Sequence, residues 1–142
     1  MIVYADTSFL IAVYLEDVHS RETYNRMATH PSLPITPFGR AEVANAIYRQ
    51  VFLKRISAVN ASDAWQNFEF DCRSGILHSA ELPEATWVEV IELARRYCPT
   101  LGVRTLDSLH VACALTLKAE KFWTFDERQA KLAEAVGLDI GL

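Results

Sequence analysis

The run Ile2-Val3-Tyr4-Ala5 is apolar without a break, and a carboxylate, Asp6, stops it. A strand with one wet face alternates apolar and polar residues. A strand apolar at every position suits burial on both faces, the place of an interior strand in a parallel sheet. A second segment, Lys121-Phe122-Trp123-Thr124-Phe125, is aromatic-rich and also stops at an aspartate, Asp126. Parallel strands need long crossovers, and the sequence between these two segments supplies helical periodicity.

The segments between read as follows. Residues 8–16 form a helix packed on the first strand, and 19–29 a more exposed one, with Tyr24 and Met27 at i, i+3. Leu33 to Thr36 is a short strand ended by Pro37; from Phe38 onward Val43, Ile47 and Val51 recur at helical spacing. Asn60 to Arg73 is a helix with Ala61, Trp65 and Phe68 on one side, capped by Asn60 or Ser62. Leu77 to Leu82 has strand character. Pro83 opens a helix from Glu84 to Tyr97, with acids early and Arg95 and Arg96 late, and Cys98-Pro99 ends it. Thr105 precedes a helix from Leu106 to Leu117, and Gly137 stops another from Glu127 to Val136. Leu138-Asp139-Ile140 is a weak last strand. No repeat, low-complexity tract or linker interrupts the pattern. Strands alternating with helices predict one α/β domain over residues 1–142, a three-layer α/β/α sandwich with a mostly parallel central sheet.

Composition excludes several classes. A chain of 142 residues, 51% of them apolar, can bury a core and is not a disordered polymer. No apolar run approaches the ~20 residues of a membrane span. No basic segment precedes the first apolar stretch, so a secretory signal is not expected and the cytoplasm is. Cys72, Cys98 and Cys113 are odd in number and form no C-x-x-C pair, and His19, His30, His78 and His110 are scattered. Free thiols are expected, and a zinc site is not. The net charge of −4 argues against a protein that coats nucleic acid. It leaves room for an enzyme that meets phosphates through a bound cation.

In open parallel sheets the binding crevice lies beyond the carboxyl ends of the strands. Asp6 and Asp126 are expected there, each directly after a strand. Glu42 falls in the first turns of a helix that follows a strand, and Asp107 at the start of the helix after Gly102. Each acid has a structural reading. Asp6 and Asp126 suit N-caps, and Asp126 with Gln129 fits a capping box; Glu42 and Asp107 suit solvated first-turn positions. Taken together the four converge at one sheet edge, where like charges repel and raise each other's pKa. A hard divalent cation relieves that repulsion.

These residues carry a resemblance. The segments VYADTSFLIAVYLED, ITPFGRAEVANAIYR, RTLDSLHVACAL and FWTFDERQAKLAEAVGL are together similar to the PIN domain family, and within it to VapC-type toxin ribonucleases of toxin–antitoxin pairs. Each motif is weak alone. Their order is the specific signal: D-T-S after the first strand, R-x-E on the third helix, D-x-x-H-x-A, then T-x-D. The resemblance runs essentially end to end, except that residues 60–82 match in character only. It places the metal-binding, catalytic acids on Asp6, Glu42, Asp107 and Asp126, all intact. Its small hydroxyl positions fall on Thr7 or Ser8 and on Thr124, beside the acids. It implies Mg²⁺ or Mn²⁺ as cofactor, RNA as substrate, and 5′-phosphate and 3′-hydroxyl products. It also implies a cognate antitoxin and a homodimer as partners, with no membrane role.

Metal-dependent phosphodiester hydrolysis needs no nucleophilic side chain, because divalent cations activate water and neutralise the phosphate. Arg40, Arg49, Lys54, Arg55 and Arg104 are candidates for RNA phosphates, Arg104 foremost because Asp107 is near; a solvated surface is the reading to beat for each. His110 lies one helical turn beyond Asp107, and a structural histidine in hydrogen-bond contact with the site is preferred to a general base. Asn45, one turn beyond Glu42, is a candidate supporting residue. Trp65, Phe68 and Phe70 crowd one segment, where core packing is the first expectation and an interface the second. A strand-tip aspartate phosphohydrolase wants an acid at position 8, which is serine. The remaining alternatives are a PIN-like binding module without activity and a nuclease of RNA processing outside any toxin pair.

Overall fold

A computed structural model describes residues 1–141. In chain order the elements are β1 (Val3–Ala5), α1 (Thr7–Tyr14), α2 (Ser20–Thr29), β2 (Leu33–Ile35), α3 (Pro37–Phe52), α4 (Ala58–Ser74), β3 (Leu77–Ser79), α5 (Ala85–Leu101), α6 (Thr105–Thr116), β4 (Lys121–Trp123) and α7 (Glu127–Ala135). Their packing groups into two compact units. One holds Met1–Asp6 and the chain from Glu81 onward; the other holds Thr7–Ala80. The fold is α/β with parallel strands, as the alternation of strand and helix predicts.

In the first unit β1 pairs in parallel with β4, with Val3 opposite Lys121, Tyr4 opposite Phe122 and Ala5 opposite Trp123. Every residue of β1 is buried, which is why it tolerates no polar position before Asp6. Tyr4 stacks on its register neighbour Phe122, ring centroids 5.5 Å apart and planes 15° off parallel. Such cross-strand pairs stabilise the ladder beyond its backbone bonds. The weak last strand is reduced to a single parallel bridge between Lys121 and Asp139. Helix α6 is buried at every position from Asp107 to Ala114. A helix hidden on all sides shows no amphipathic stripe, and α6 carries its polar residues Asp107, Ser108 and His110 buried with the apolar ones. Helices α5 and α7 pack with it.

In the second unit β2 pairs in parallel with β3, Leu33 to Leu77 through Ile35 to Ser79. Strand β3 is shorter than its sequence character suggests, because Ala80 gives its N–H to Ile35 and the chain then leaves the ladder. Phe68 of α4, wholly buried, is the centre of an aromatic cluster. Trp65 stacks on it at 5.1 Å and Tyr14 meets it edge-on at 5.4 Å. Core packing thus accounts for Trp65 and Phe68, while Phe70 is exposed. Tyr14 donates its phenol to Asp71 (2.7 Å). Burial, and then that bond, push the Tyr14 pKa well above its ordinary value.

Among the helix ends that differ from their sequence reading, two have a clear chemical cause. Helix α4 starts earlier, because Ser57, not Asn60 or Ser62, is its N-cap: its hydroxyl accepts the Asn60 N–H at 3.0 Å. Helix α5 runs through Pro99 to Leu101 instead of stopping at Tyr97. Pro99 removes one N–H and crowds one carbonyl in the final, exposed turn, where water serves the freed carbonyl. The stop is Gly102, whose φ of 63° is left-handed and whose N–H reaches the Cys98 carbonyl at 2.9 Å.

Candidate active site

The register of the first unit decides what stands beside Asp6. Ala5 faces Trp123 as the last residue pair of β1 and β4, so Asp6 and Thr124 are the next residues beyond the ladder. The Asp6 N–H still bonds the Trp123 carbonyl at 3.1 Å. The Thr124 hydroxyl then donates to Asp6 Oδ2 at 2.5 Å. Thr124 Oγ1 in turn accepts the backbone N–H of Asp126 at 2.9 Å. Thr124 therefore joins the Asp6 carboxylate to the Asp126 backbone, just beyond the carboxyl ends of two adjacent parallel strands. Asp126 also caps α7, accepting the Gln129 N–H at 3.0 Å, so its structural reading is realised alongside any other role. Asp6 is fully buried.

Asp107, third residue of the buried helix α6, is also almost wholly buried. Its Oδ2 accepts the Arg104 N–H at 2.9 Å, which closes the first turn of α6. The Arg104 side chain is 70% exposed, with Nε 3.7 Å from the same carboxylate oxygen. It faces solvent while staying beside a site acid, which keeps it a candidate for a phosphate. His110 is buried and hydrogen-bonded through Nδ1 to the Tyr4 phenol at 2.8 Å. That bond ties α6 to β1. Tyr4 itself was not singled out in the sequence. The available signal was its position two residues before Asp6, on the same face of β1.

In the second unit Glu42 is half-buried on α3, and its Oε1 accepts the Thr7 hydroxyl at 2.5 Å. Of the two hydroxyls after Asp6, Thr7 thus meets a carboxylate, and Ser8 follows it half-buried in α1. Asn45 is exposed. Arg40 lies over the Phe68 ring, 5.9 Å from its centroid, so a packing role within this unit accounts for it. Its charge also partly offsets the rise that burial causes in the Cys72 pKa. Arg49, Lys54 and Arg55 are exposed at the end of α3 and just beyond.

The donor set is oxygen throughout: carboxylates supported by hydroxyls. That chemistry suits Mg²⁺ or Mn²⁺ and not zinc. Among the described residues no three His, Cys, Asp or Glu side chains are gathered closely enough to enclose an ion. Mg²⁺ does not need such a cage, since it commonly takes one or two carboxylates and keeps its waters. Two linked strand-tip aspartates therefore fit such a cation in kind. No helix among the described residues is long and apolar enough to cross a membrane.

Comparison with known proteins follows this geometry. The family model of the PIN domain matches residues 3–135. No curated protein sequence matches the chain. Among solved structures, VapC20 of Mycobacterium tuberculosis, described as a sarcin-ricin loop cleaving toxin, superposes with a TM-score of 0.70 at 14% identity, over 97% of this chain and 98% of that one. PAE2754 of Pyrobaculum aerophilum superposes with a TM-score of 0.67 at 18% identity, over 99% of this chain and 84% of that one. At such identities the likeness is one of fold, and it agrees with the α/β sandwich class predicted from sequence.

Proposed function

The chain belongs to the PIN domain family, and we propose that it is a divalent-metal-dependent endoribonuclease acting as the toxin of a toxin–antitoxin pair. The observation that carries this reading is the Thr124 link between Asp6 and Asp126 at the tips of β1 and β4. A buried carboxylate is costly unless something holds its charge, and a cation does so while giving the acid a task. The likeness to VapC20, described as a sarcin-ricin loop cleaving toxin, lends support.

In this reading Asp6, Glu42, Asp107 and Asp126 are the carboxylates that hold the ion, Mg²⁺ or Mn²⁺. When bound, the cation supplies Lewis acidity toward a phosphodiester and a nucleophilic water at neutral pH. The chain's own residues set the stage. Thr124 occupies one lone pair of Asp6 Oδ2 and so fixes the rotation of that carboxylate. Thr7 does the same for Glu42. The Arg104 backbone N–H holds Asp107 in the first turn of α6, and its exposed guanidinium meets an RNA phosphate. Ser8, Asn45 and His110 support from behind the acids. The working place is the cytoplasm, with a cognate antitoxin as restraint and a second copy of the chain as partner.

The test is cleavage of RNA by purified protein. Mg²⁺ or Mn²⁺ should support cutting, and EDTA should abolish it. Asp6→Asn keeps the shape and loses the charge, so it should lose activity by about a hundredfold or more while circular dichroism stays native. Full activity in EDTA, or an Asp6→Asn protein within a few fold of wild type, would overturn the reading.

A further inference from the structure

Three cations at the end of α3 have no task in the site described above. Arg49, Lys54 and Arg55 are all exposed. Elsewhere cations pair with acids: Arg26 with Glu22, Arg73 with Glu69, Arg95 with Glu92 and Lys121 with Asp139. Among the described residues no carboxylate pairs with Arg49, Lys54 or Arg55. No acid falls between Glu42 and Asp63, so the segment is a positive island on a chain of net charge −4. Two aromatic rings stand on the same island. Phe52 is 79% and Tyr48 46% exposed, one turn apart on one face of α3. Lys54 ends the helix with a left-handed φ of 58°, and the Arg55 N–H reaches the Gln50 carbonyl at 3.0 Å. Lys118 ends α6 in the same way, with a φ of 61°, but no exposed ring accompanies it and Glu120 follows.

Exposed rings among unpaired cations select the occupant. We infer that the end of α3 is a docking surface for single-stranded RNA, whose bases stack on Phe52 and Tyr48 and whose phosphates meet Arg49, Lys54 and Arg55. Stacking on a protein ring requires a base whose face is free, which a single strand offers and a paired helix does not. The cations supply the attraction that a net acidic chain otherwise lacks toward a polyanion. A second copy of this chain is a poor occupant, because three like charges would meet three. The surface is joined to the proposed site by α3 itself. Glu42, half-buried, is followed along one face by the exposed Asn45, Tyr48, Arg49 and Phe52, at spacings of three and four residues. Phe52 lies ten residues beyond Glu42, or ~15 Å along the helix axis, a span of a few nucleotides. A strand held there continues along the helix toward Glu42. The inference rests on the ribonuclease reading for its ligand, and it names where the substrate is held away from the acids.

The experiment is fluorescence anisotropy of a labelled single-stranded RNA of about 12 nucleotides on the full chain, in EDTA so that nothing is cut. Phe52→Ala should weaken binding about tenfold, the loss of one stacked base, with its melting temperature unchanged because the ring is exposed. Phe52→Trp should bind within about threefold of wild type. Arg55→Gln should weaken binding and flatten the plot of log affinity against log salt by about 0.7, the share of one phosphate contact. Lys54→Gly should do the same without a lower melting temperature, since glycine suits the left-handed φ. Lys118→Gly, the matched change at the end of α6, should leave RNA affinity as it is. A fully paired RNA of the same sequence should bind without regard to Phe52. A wild type that binds no RNA up to ~200 µM, a Phe52→Ala protein that binds like wild type, an equal loss on paired RNA, or a Lys118→Gly protein as weakened as Lys54→Gly would each overturn the inference. The second of these is the result expected of a surface that takes an acidic peptide instead. The ribonuclease reading fails separately. A chain that binds RNA through Phe52 and cuts none with Mn²⁺ supports the docking surface and sinks the ribonuclease, whereas one that cuts RNA and binds it equally after Phe52→Ala does the reverse.

Discussion

The Tyr4–His110 bond joins two elements that each carry an acid of the proposed site. Tyr4 precedes Asp6 by two residues on β1, and His110 follows Asp107 by three on α6, so each partner shares a face with its acid. The bond fixes the strand tip relative to the helix. Tyr4→Phe removes the phenol and leaves His110 in place. We predict that it raises the Mn²⁺ concentration for half-maximal binding about fivefold, read by Mn²⁺ titration of the protein, with an order-of-magnitude stability cost of about 1 kcal/mol. Unchanged Mn²⁺ affinity with lowered stability would make the pair merely structural. This partnership was not legible in the sequence, where 106 residues separate the two and only the fold's register joins them. The acids were legible, because each sits at an element end that the apolar pattern marks. A second residue, Cys113, tests burial. Its thiol pKa is pushed from 9.0 up to about 11 by desolvation, against a smaller opposing effect of the Tyr4 hydrogen bond. The folded state therefore holds the proton longer than the unfolded state. That contribution to stability is complete below pH 9 and is lost as pH rises from 9 to about 11. Thermal melts should show a steeper decline over this window for wild type than for Cys113→Ala. Parallel slopes would count against a buried thiol.

At the scale of elements, helix starts are chemical events and are read well only when the capping residue is named correctly. The sequence reading named Asn60 and Ser62 as caps for α4 and passed over Ser57, three residues before Asn60, because the path of the chain decides between nearby hydroxyls and amides. The structure gives the role to Ser57. We predict that Ser57→Ala lowers stability by about 1 kcal/mol and Ser62→Ala by much less, measured by urea denaturation. Equal effects would mean that the cap contributes nothing. The end of α5 teaches a related point. Proline is a strong stop signal because it loses an N–H and crowds the preceding turn, yet both costs shrink in a last turn open to water. Gly102, with its left-handed φ, was the real terminus. The α/β class survived these errors because it rests on the alternation of buried strands with helices, which a shift of three or four residues does not alter. The final strand was overestimated for the same reason that it was called weak: three residues with one acid among them make a single bridge.

For the whole molecule the proposed function raises the question of how an acidic chain that cuts RNA would be restrained in its own cell. It carries 18 acids against 14 bases, and four of those acids are assigned to the site. RNA approaches such a surface against a repulsive field unless a cation is in place, so a basic side chain seated at the site would occupy the cation's position. An antitoxin presenting lysine or arginine to Asp6, Glu42, Asp107 or Asp126 fits that need. A desolvated charge pair is strong where an exposed one is weak. The family was legible from the order of its motifs, whereas the proposed antitoxin would leave no trace in this chain, since a partner's residues are written in the partner's sequence. We predict that expression of wild type in a bacterial host arrests growth, that Asp6→Asn does not, and that a small protein encoded by the neighbouring gene restores growth to wild type. The rescuing protein should lose its effect when the basic residue that faces the site is replaced by glutamate. The measurement is colony formation under induction, with RNA integrity followed on gels. Arrest without RNA cleavage would point to binding in place of catalysis. A wild type that is harmless at high expression and leaves RNA intact would remove the toxin reading, and the inactive binding module would then account better for a PIN domain whose four acids hold an ion without using it.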